Sequence, residues 1–326
     1  MAQSAESSDN VDIHIRPLDP GKDMPAVLEL IELGFRKELD PQGWKMLRQM
    51  RRIYQPSHLT GAVYGRSIGT AGFVSTENER IVGNLSLRHA QPRSTRGYLI
   101  GNVVVHPDYR GQGIGRALME RAIDTARAER ARWIGLEVRV DNVAATHLYQ
   151  QLGFHAVGVT HHLLRPKSMP WPAYRRPGRN WRRSKSKDSM RWKQLATLIH
   201  SYNQRLVLEI RTGLYEFGGF SRWLNLRLTH QQEQAWIFEN GQGNVILSAH
   251  VETDRRHRFH VWDVLMHPDA GEKGAQELVA QCLAGTRRFP PWPVVALVPD
   301  QPSLRGTLQD VGFEMHRTLQ QMILEL

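Results

Sequence analysis

The chain has 326 residues, of which 40% are apolar and 23% charged, enough for two globular domains that each bury a core. A single cysteine, Cys282, excludes an internal disulfide and a cysteine-rich zinc site, and no run approaches the ~20 apolar residues of a membrane-spanning helix. The net charge of +11 is concentrated between Arg165 and Lys193, where eleven Lys/Arg face one acid, Asp188, so the basic character belongs to a segment and not to a domain face. The polar start MAQSAESSDN has no apolar stretch of the secretory kind, and with one cysteine it predicts a cytoplasmic protein.

In chain order, Val11 to Leu18 alternates like a strand, and Met24 to Phe35 has the spacing of a helix. Gly43 to Tyr54 reads as a second helix. Two strands fall within Gly72 to Leu87 around the turn Thr76-Glu77-Asn78-Glu79, and Tyr98 to Val105 reads as a buried strand. Three glycines in six residues follow, in Arg110-Gly111-Gln112-Gly113-Ile114-Gly115. Ile114, Ala117, Leu118, Ala122, Ile123 and Ala126 then share one helix face. Trp133 to Arg139 is a strand, Asp141 is placed to cap a helix running to Leu152 with Gly153 as its stop, and Phe154 to Leu164 is the last strand. These elements predict an α/β fold with a mixed sheet.

The segment RPKSMPWPAYRRPGRNWRRSKSKDSM carries neither helical nor strand periodicity and divides the chain. The expected organisation is a disordered tail over 1–10, a first domain over 11–165, a basic Pro/Gly/Ser-rich linker over 166–189 and a second domain over 190–326. Trp171, Tyr174, Trp181 and Trp192 among the linker's arginines could stack on RNA bases, but packing between the two halves is favoured.

The second block repeats the first. His106-Pro107-Asp108 aligns with His267-Pro268-Asp269, Gly113 with Gly274 and Leu118 with Val279. After a two-residue deletion Trp133 aligns with Trp292, Asp141 with Asp300 and Gly153-Phe154 with Gly312-Phe313. Gln234 to Val251, around Glu239-Asn240-Gly241, matches the first hairpin. This is an internal duplication.

Glycines at the mouth of a helix give backbone amides unobstructed access to a phosphate, helped by the positive end of the helix dipole. Arg110 and Arg116 can add charge. A Walker loop is excluded because no lysine follows the glycines. A dinucleotide loop is excluded because Arg116 occupies the position of its third glycine. What remains is Gln/Arg-x-x-Gly-x-Gly/Ala. With the preceding Val103-Val104-Val105-His106-Pro107-Asp108-Tyr109, it resembles the acetyl-coenzyme A loop of the GNAT N-acetyltransferase superfamily. Leu136-Glu137-Val138-Arg139-Val140-Asp141-Asn142, then Ala145, Leu148-Tyr149 and Gly153-Phe154, is similar to that family's second segment. The resemblance covers Tyr98 to Val157 and is compatible with Val11 to Leu87.

The resemblance implies two tandem GNAT folds forming a pseudo-dimer, with acetyl-CoA as cosubstrate and no metal. It implies that the amides of Arg110, Gly111, Gln112, Gly113, Ile114 and Gly115, with Arg116 beside them, bind the pyrophosphate. Val103, Val104 and Val105 would pair with the pantetheine arm where the sheet splays, and the Val105 amide would face the thioester carbonyl. Asn142 would touch the middle of the cofactor and Tyr149 would lie near its sulfur. Tyr149 is the candidate acid for the leaving thiolate. Many relatives carry a glutamate on the strand before the loop, whereas Gly101-Asn102 stand here. Glu137 is the nearest carboxylate by motif, a water relay is an alternative, and the base is left open.

In the second copy Gly271, Glu272 and Gln276 replace Arg110, Gly111 and Gly115, Gln301 replaces Asn142, and Leu308 replaces Tyr149. A non-catalytic second domain is therefore expected, one that buttresses the first or shapes its amine site together with Phe35 to Tyr54. His161 and His162, adjacent on a strand, should face opposite ways, and they and the pair His257 and His260 are expected at the surface. The expected function is acetyl transfer to a primary amine of a small molecule or peptide by direct attack on the thioester. The alternatives are an acetyl-CoA-sensing or RNA-associated module without turnover, and transfer of a longer acyl group. No membrane partner is expected, nucleic acid is not favoured, and monomer and homodimer are both open.

Overall fold

The computed structural model describes residues 14–54, 71–173, 176–210, 226 and 229–326. The expected tail over 1–10, the start of the first strand and Tyr174 lie outside the described residues.

β1 (His14–Pro17) leads into α1 (Pro20–Phe35) and α2 (Pro41–Ile53). Each helix has an aspartate cap followed by proline at its first position. Asp19 accepts from the Gly21 amide at 2.9 Å and Asp40 from the Gly43 amide at 2.8 Å. β2 (Ala71–Glu77) and β3 (Arg80–His89) form the expected hairpin, with Asn78 and Glu79 both at positive φ in the turn. β4 (Gly97–Val105), α3 (Ile114–Ala128), β5 (Trp133–Arg139), α4 (Val143–Gln151) and β6 (His155–Arg165) follow. Ile114, Leu118, Met119, Ala122, Ile123 and Ala126 of α3 are buried against Ile100, Ile134, Leu136 and Val138 of the sheet.

The basic segment is not featureless. Trp181–Arg183 forms β7, too short to show a period, at the sheet's edge on β8. α5 (Ser189–Ile199), α6 (Tyr202–Val207), β8 (Gln231–Glu239), β9 (Val245–Asp254), β10 (Phe259–Met266), α7 (Gly271–Thr286), β11 (Val294–Pro299), α8 (Pro302–Asp310) and β12 (Glu314–Glu325) repeat the order of the first half.

All twelve strands form one sheet in the order β1-β2-β3-β4-β5-β12-β6-β11-β10-β9-β8-β7. Its centre is an exchange. β12 lies against β5 from Leu319↔Arg139 to Glu325↔Trp133, while β6 lies against β11 from Arg165↔Val294 to Thr160↔Pro299. Each half gives its last strand to the other, and the two donated strands pair in the middle. Helices cross as well. Val207 of α6 packs with Leu99 and Trp133 of the first half, and Lys45 of α2 reaches Asp254 of the second at 2.8 Å. The halves are interlocked.

The facing of side chains refines the register of the repeat. Ile100 pairs with Leu136 on the α3 face, and Trp262 pairs with Ala296 on the α7 face. Trp133 is thus equivalent to Pro293 and not to Trp292, and β4 carries one residue more than β10. That extra residue lies at Asn102.

Candidate active site

β4 and β5 run parallel and pair only from Gly97↔Trp133 to Ile100↔Leu136. Beyond that the ladder ends, because Asn102 adopts φ +50° and the β3–β4 register shifts between Asn84 and Ser86. Asn84 Nδ2 donates to the Asn102 carbonyl at 2.9 Å, and Asn102 Nδ2 donates to Ser86 Oγ at 3.2 Å, which holds the bulge. A Cβ on Gly101 would meet nothing within 4 Å. The run Tyr98 to Val105, expected to be buried throughout, is therefore exposed at Gly101 and half-buried at Asn102, Val103 and Val105.

Two cavities meet at this opening. One, of about 1120 Å³, lies between the end of β4, the N-terminus of α3 and α4. The other, of about 410 Å³, lies between α1, α2, β4, β5 and β12. Phe35, Glu38, Val103, Arg139, Asn142 and Tyr149 line both.

The larger cavity gathers Val103, Val104, Val105, Arg110, Gly111, Gly113, Ile114, Gly115, Arg116, Asn142 and Tyr149; of the expected set only Gln112 does not line it. Gly111 and Gly113 sit at φ +80° and +79°, a backbone region that favours glycine, with open space where a Cβ would project. Gly113 caps α3 and has no side chain to occupy the helix's first amides, so they point into the cavity unscreened. Gly115 has ordinary backbone geometry, and a Cβ there would lie 3.6 Å from Leu148, an ordinary contact that fits the Gly/Ala alternation of the motif. Arg110 donates to the Val105 carbonyl at 3.3 Å, and Arg116 is held by Gln151.

Tyr149 is 6% exposed, and burial pushes its phenol up to about 12, so the proton stays on oxygen at neutral pH. Asn142, and not Asp141, caps α4, by accepting from the Ala145 amide at 3.2 Å. Asp141 is turned away instead, as the partner of Arg139 at 2.8 Å. Glu137 lines the smaller cavity and is exposed to it, between the buried Leu136 and Val138 of β5. Desolvation raises its pKa above the usual carboxylate range, opposed by a 2.7 Å hydrogen bond from Gln321 Nε2 and by the charge of Arg317. The smaller cavity is otherwise largely apolar, with Leu28, Ile31, Leu39, Met46, Leu47 and Met50 from α1, α2 and their connection.

Arg317, Leu319 and Gln321 at this site were not legible in the sequence. They belong to β12, and the exchange that brings them here leaves no trace in spacing. Arg317 donates to the Glu38 carbonyl at 3.1 Å and to Asp40 Oδ2 at 3.0 Å.

The second copy departs from the first at each corresponding point. β10 pairs with β11 one residue further, through Asp263↔Leu297, and its register with β9 is unbroken. Where the first copy has its glycine loop, α7 begins at Gly271 and winds the segment GEKG into its first helical turn. Gly274 is buried there, and a Cβ on it would lie 2.5 Å from Ala270. Gln301 reaches across to donate to the Met266 carbonyl at 2.7 Å, bridging the strand end that Asn142 leaves open in the first copy.

Other sequence-marked residues have structural partners. His161 and His162 do face opposite ways. His161 meets Thr318 at 2.9 Å and Asp300 at 3.0 Å, whereas His162 accepts from Arg317. The surface placement expected for the histidines is wrong. His161 is 7% exposed and His260 is fully buried, the latter stacked on Trp292 at 5.6 Å, because its β10 position points into the sheet's covered face. His257 is half-buried against Asp254. Among the described residues no group of three His, Cys, Asp or Glu could hold a metal ion, and no helix is long and apolar enough to cross a membrane. Trp171 donates to the Phe289 carbonyl, Trp181 packs edge-on to Phe238, and Trp192 is buried on Ser184, so these three aromatics pack on the second half's core and not between the halves as expected.

Comparison with known proteins bears on this geometry. Residues 37–154 match the acetyltransferase (GNAT) family. That segment of the first half is thus a GNAT acetyltransferase domain. Across its whole length it resembles a tandem GNAT protein from the clavulanic acid biosynthesis pathway. That likeness has a TM-score of 0.59 at 16% identity and covers 96% of this chain and 98% of that one. It resembles equally the GCN5-related N-acetyltransferase from Sphaerobacter thermophilus, with TM-score 0.59 at 14% identity, covering 96% and 95%. These likenesses show the tandem GNAT fold. Among curated relatives, N-alpha-acetyltransferase 30 of Schizosaccharomyces pombe is 38% identical over 84 residues, 25% of this chain and 55% of the relative. The ribosomal protein bS18-alanine N-acetyltransferase of Escherichia coli is 48% identical over 54 residues, 17% of this chain and 36% of the relative. The chain thus spans about half or less of the curated relatives it matches.

Proposed function

We propose that this protein is an acetyl-CoA-dependent N-acetyltransferase with one active centre, in the first half, acting on a primary amine. The observation that carries the reading is the uncapped, glycine-led N-terminus of α3 facing a strand edge that the Asn102 bulge has opened. Acetyl-CoA would lie in the larger cavity. The amides from Gly111 to Arg116 would hold its pyrophosphate, and Val103 to Val105 its pantetheine arm. Bound there, acetyl-CoA supplies the activated thioester. Residues 11–165 are then the catalytic domain, 166–189 the linker, and 190–326 a degenerate domain that contributes β12 to the site.

The chain's own groups divide the remaining work. Glu137, a carboxylate made more basic by desolvation, takes the proton from the incoming ammonium. Tyr149, lining both cavities with its proton retained, donates to the departing thiolate. The acceptor occupies the smaller cavity, whose apolar walls favour an amine attached to an apolar body. The relatives' names, which refer to protein amino termini, support a peptide amine within that class.

The test is turnover of acetyl-CoA against peptides with varied N-termini, amino acids, aminoglycosides and polyamines. Transfer to at least one class, most readily to peptides with apolar first residues, is the expected result. Tight binding of acetyl-CoA without transfer to any of them would replace this reading by a sensing role.

A further inference from the structure

Glu137 receives one hydrogen bond from a side chain, and that side chain belongs to the other half of the molecule. Gln321 stands directly opposite Glu137 in the β5–β12 ladder, so their side chains share one face. An amide can present either its oxygen or its nitrogen to a neighbour, and only the nitrogen suits a carboxylate. Which end faces Glu137 is settled two residues away. Gln204 of α6 donates from Nε2 to the Val159 backbone carbonyl at 3.3 Å and to Gln321 Oε1 at 3.0 Å. A backbone carbonyl can only accept, so the Gln204 amide has one orientation. Its donated proton then fixes the oxygen of Gln321 on that side, and Gln321 Nε2 is left to face Glu137 at 2.7 Å and Thr160 Oγ1 at 2.9 Å, with the Leu319 carbonyl at 3.4 Å favouring the same orientation.

Both glutamines are buried, Gln321 at 0% and Gln204 at 5% exposure, so water does not compete for their groups. The room for this arrangement comes from Gly158, which faces Gln321 on β6. A Cβ at that position would lie 2.2 Å from the Gln204 amide. α6 is itself anchored to β6, with Ser201 Oγ donating to the Val157 carbonyl at 3.1 Å and accepting from the Gln204 backbone N–H at 3.2 Å.

We infer that Gln321, oriented by Gln204 over Gly158, is the positioning residue for the carboxylate of Glu137. The second half thereby holds the first half's base in its working orientation and charge state. The inference rests on the proposed role of Glu137 as base. Other charged or titratable groups lining the cavity are Glu38, Arg139, Tyr149 and Arg317, and α2 presents only Gly43 and apolar residues to it. Arg317 is engaged by Asp40, the Glu38 carbonyl and His162, and Arg139 by Asp141. Gln321 is therefore the one side chain that donates a hydrogen bond to Glu137 among the described residues.

The experiment is a pH titration of the Glu137 carboxyl carbon by NMR in the full-length chain, assigned with Glu137→Gln and needing no acceptor. Loss of a donated proton disfavours the charged carboxylate, so Gln321→Leu should move the Glu137 midpoint upward. Gln204→Leu and Gly158→Ala, which leave Gln321 in place but unoriented, should move it the same way by less. Thermal unfolding run in parallel identifies any variant that has lost the fold, and in Gly158→Ala the added methyl must displace the Gln204 amide that it would otherwise meet at 2.2 Å. An unmoved midpoint in folded Gln321→Leu overturns the inference, whatever the activity. With an acceptor in hand, Gln321→Leu should lose about tenfold in kcat/KM at neutral pH and recover it at higher pH. If Glu137→Gln keeps full turnover, the base assignment fails while the titration result still stands, so the two failures are distinguishable.

Discussion

The two halves of this chain share one topology and differ at the point where a phosphate-bearing ligand would enter. In the first, α3 starts at Ile114 after a loop whose glycines hold φ near +80°; in the second, the corresponding segment has become helix from Gly271. In the first, the bulge at Asn102 parts β4 from β5 after Ile100; in the second, the strands stay paired through Asp263, and Gln301 bridges the gap beyond. One inserted residue and two replaced glycines separate a cleft from a closed sheet. Most of the hydrophobic framework survives those changes because it lies on the other side of each element, in the contacts of α3 and α7 with their strands. The second copy still reaches the first, since Arg317 and Leu319 of β12 line the first half's smaller cavity.

The largest expected effect breaks the comparison at the loop. Gly113→Glu puts a carboxylate at the helix mouth in a backbone conformation that disfavours any side chain, and calorimetry should show acetyl-CoA affinity reduced at least about 100-fold. Next is Glu137→Gln, which should lower kcat/KM by roughly 10²- to 10⁴-fold and remove the acid limb of its pH profile. The same substitution has an opposite effect on stability. Because the folded-state pKa of Glu137 is raised, its contribution to stability is present below the unfolded value and lost as pH rises through the folded one. Glu137→Gln should therefore unfold at a higher temperature than the parent at pH 8, with the difference shrinking toward pH 4.

Deleting Asn102 tests the bulge. It should let β4 pair with β5 one residue further, as β10 does with β11, and reduce turnover by about 10²-fold while circular dichroism stays unchanged. Tyr149→Phe is a smaller change that should lower kcat by about 10- to 100-fold with acetyl-CoA affinity preserved, as measured by single-turnover kinetics beside calorimetry. The smallest belongs to the second copy. Glu272→Ala should alter acetyl-CoA binding by less than about twofold, because a helical turn, and not the glutamate alone, closes that site.

Much of this was legible in the sequence. The glycine loop, the buried face of α3, the strand–helix order and the duplication all rest on local patterns, and local patterns survive whatever the halves do to each other. Eleven of the twelve residues expected around the cofactor line one cavity. What escaped was non-local or one residue in size. The exchange of β6 and β12 leaves strand periodicity untouched, so Arg317, Leu319 and Gln321 could not be assigned to the first half's site. The bulge was visible only as Gly101-Asn102 where many relatives carry a glutamate, and it shifted the repeat's register by one at Asn102. Asp141 was expected to cap α4, but pairing with Arg139 won, and Asn142 took the cap. His260 read as exposed because a single histidine gives no periodic signal of its facing.

The central claim, one fold used twice with one working site, is tested most directly by the stoichiometry of acetyl-CoA binding to the full-length chain. Isothermal titration should give one molecule per chain, and none in Gly113→Glu. Two molecules per chain, or one that persists in Gly113→Glu, would contradict it.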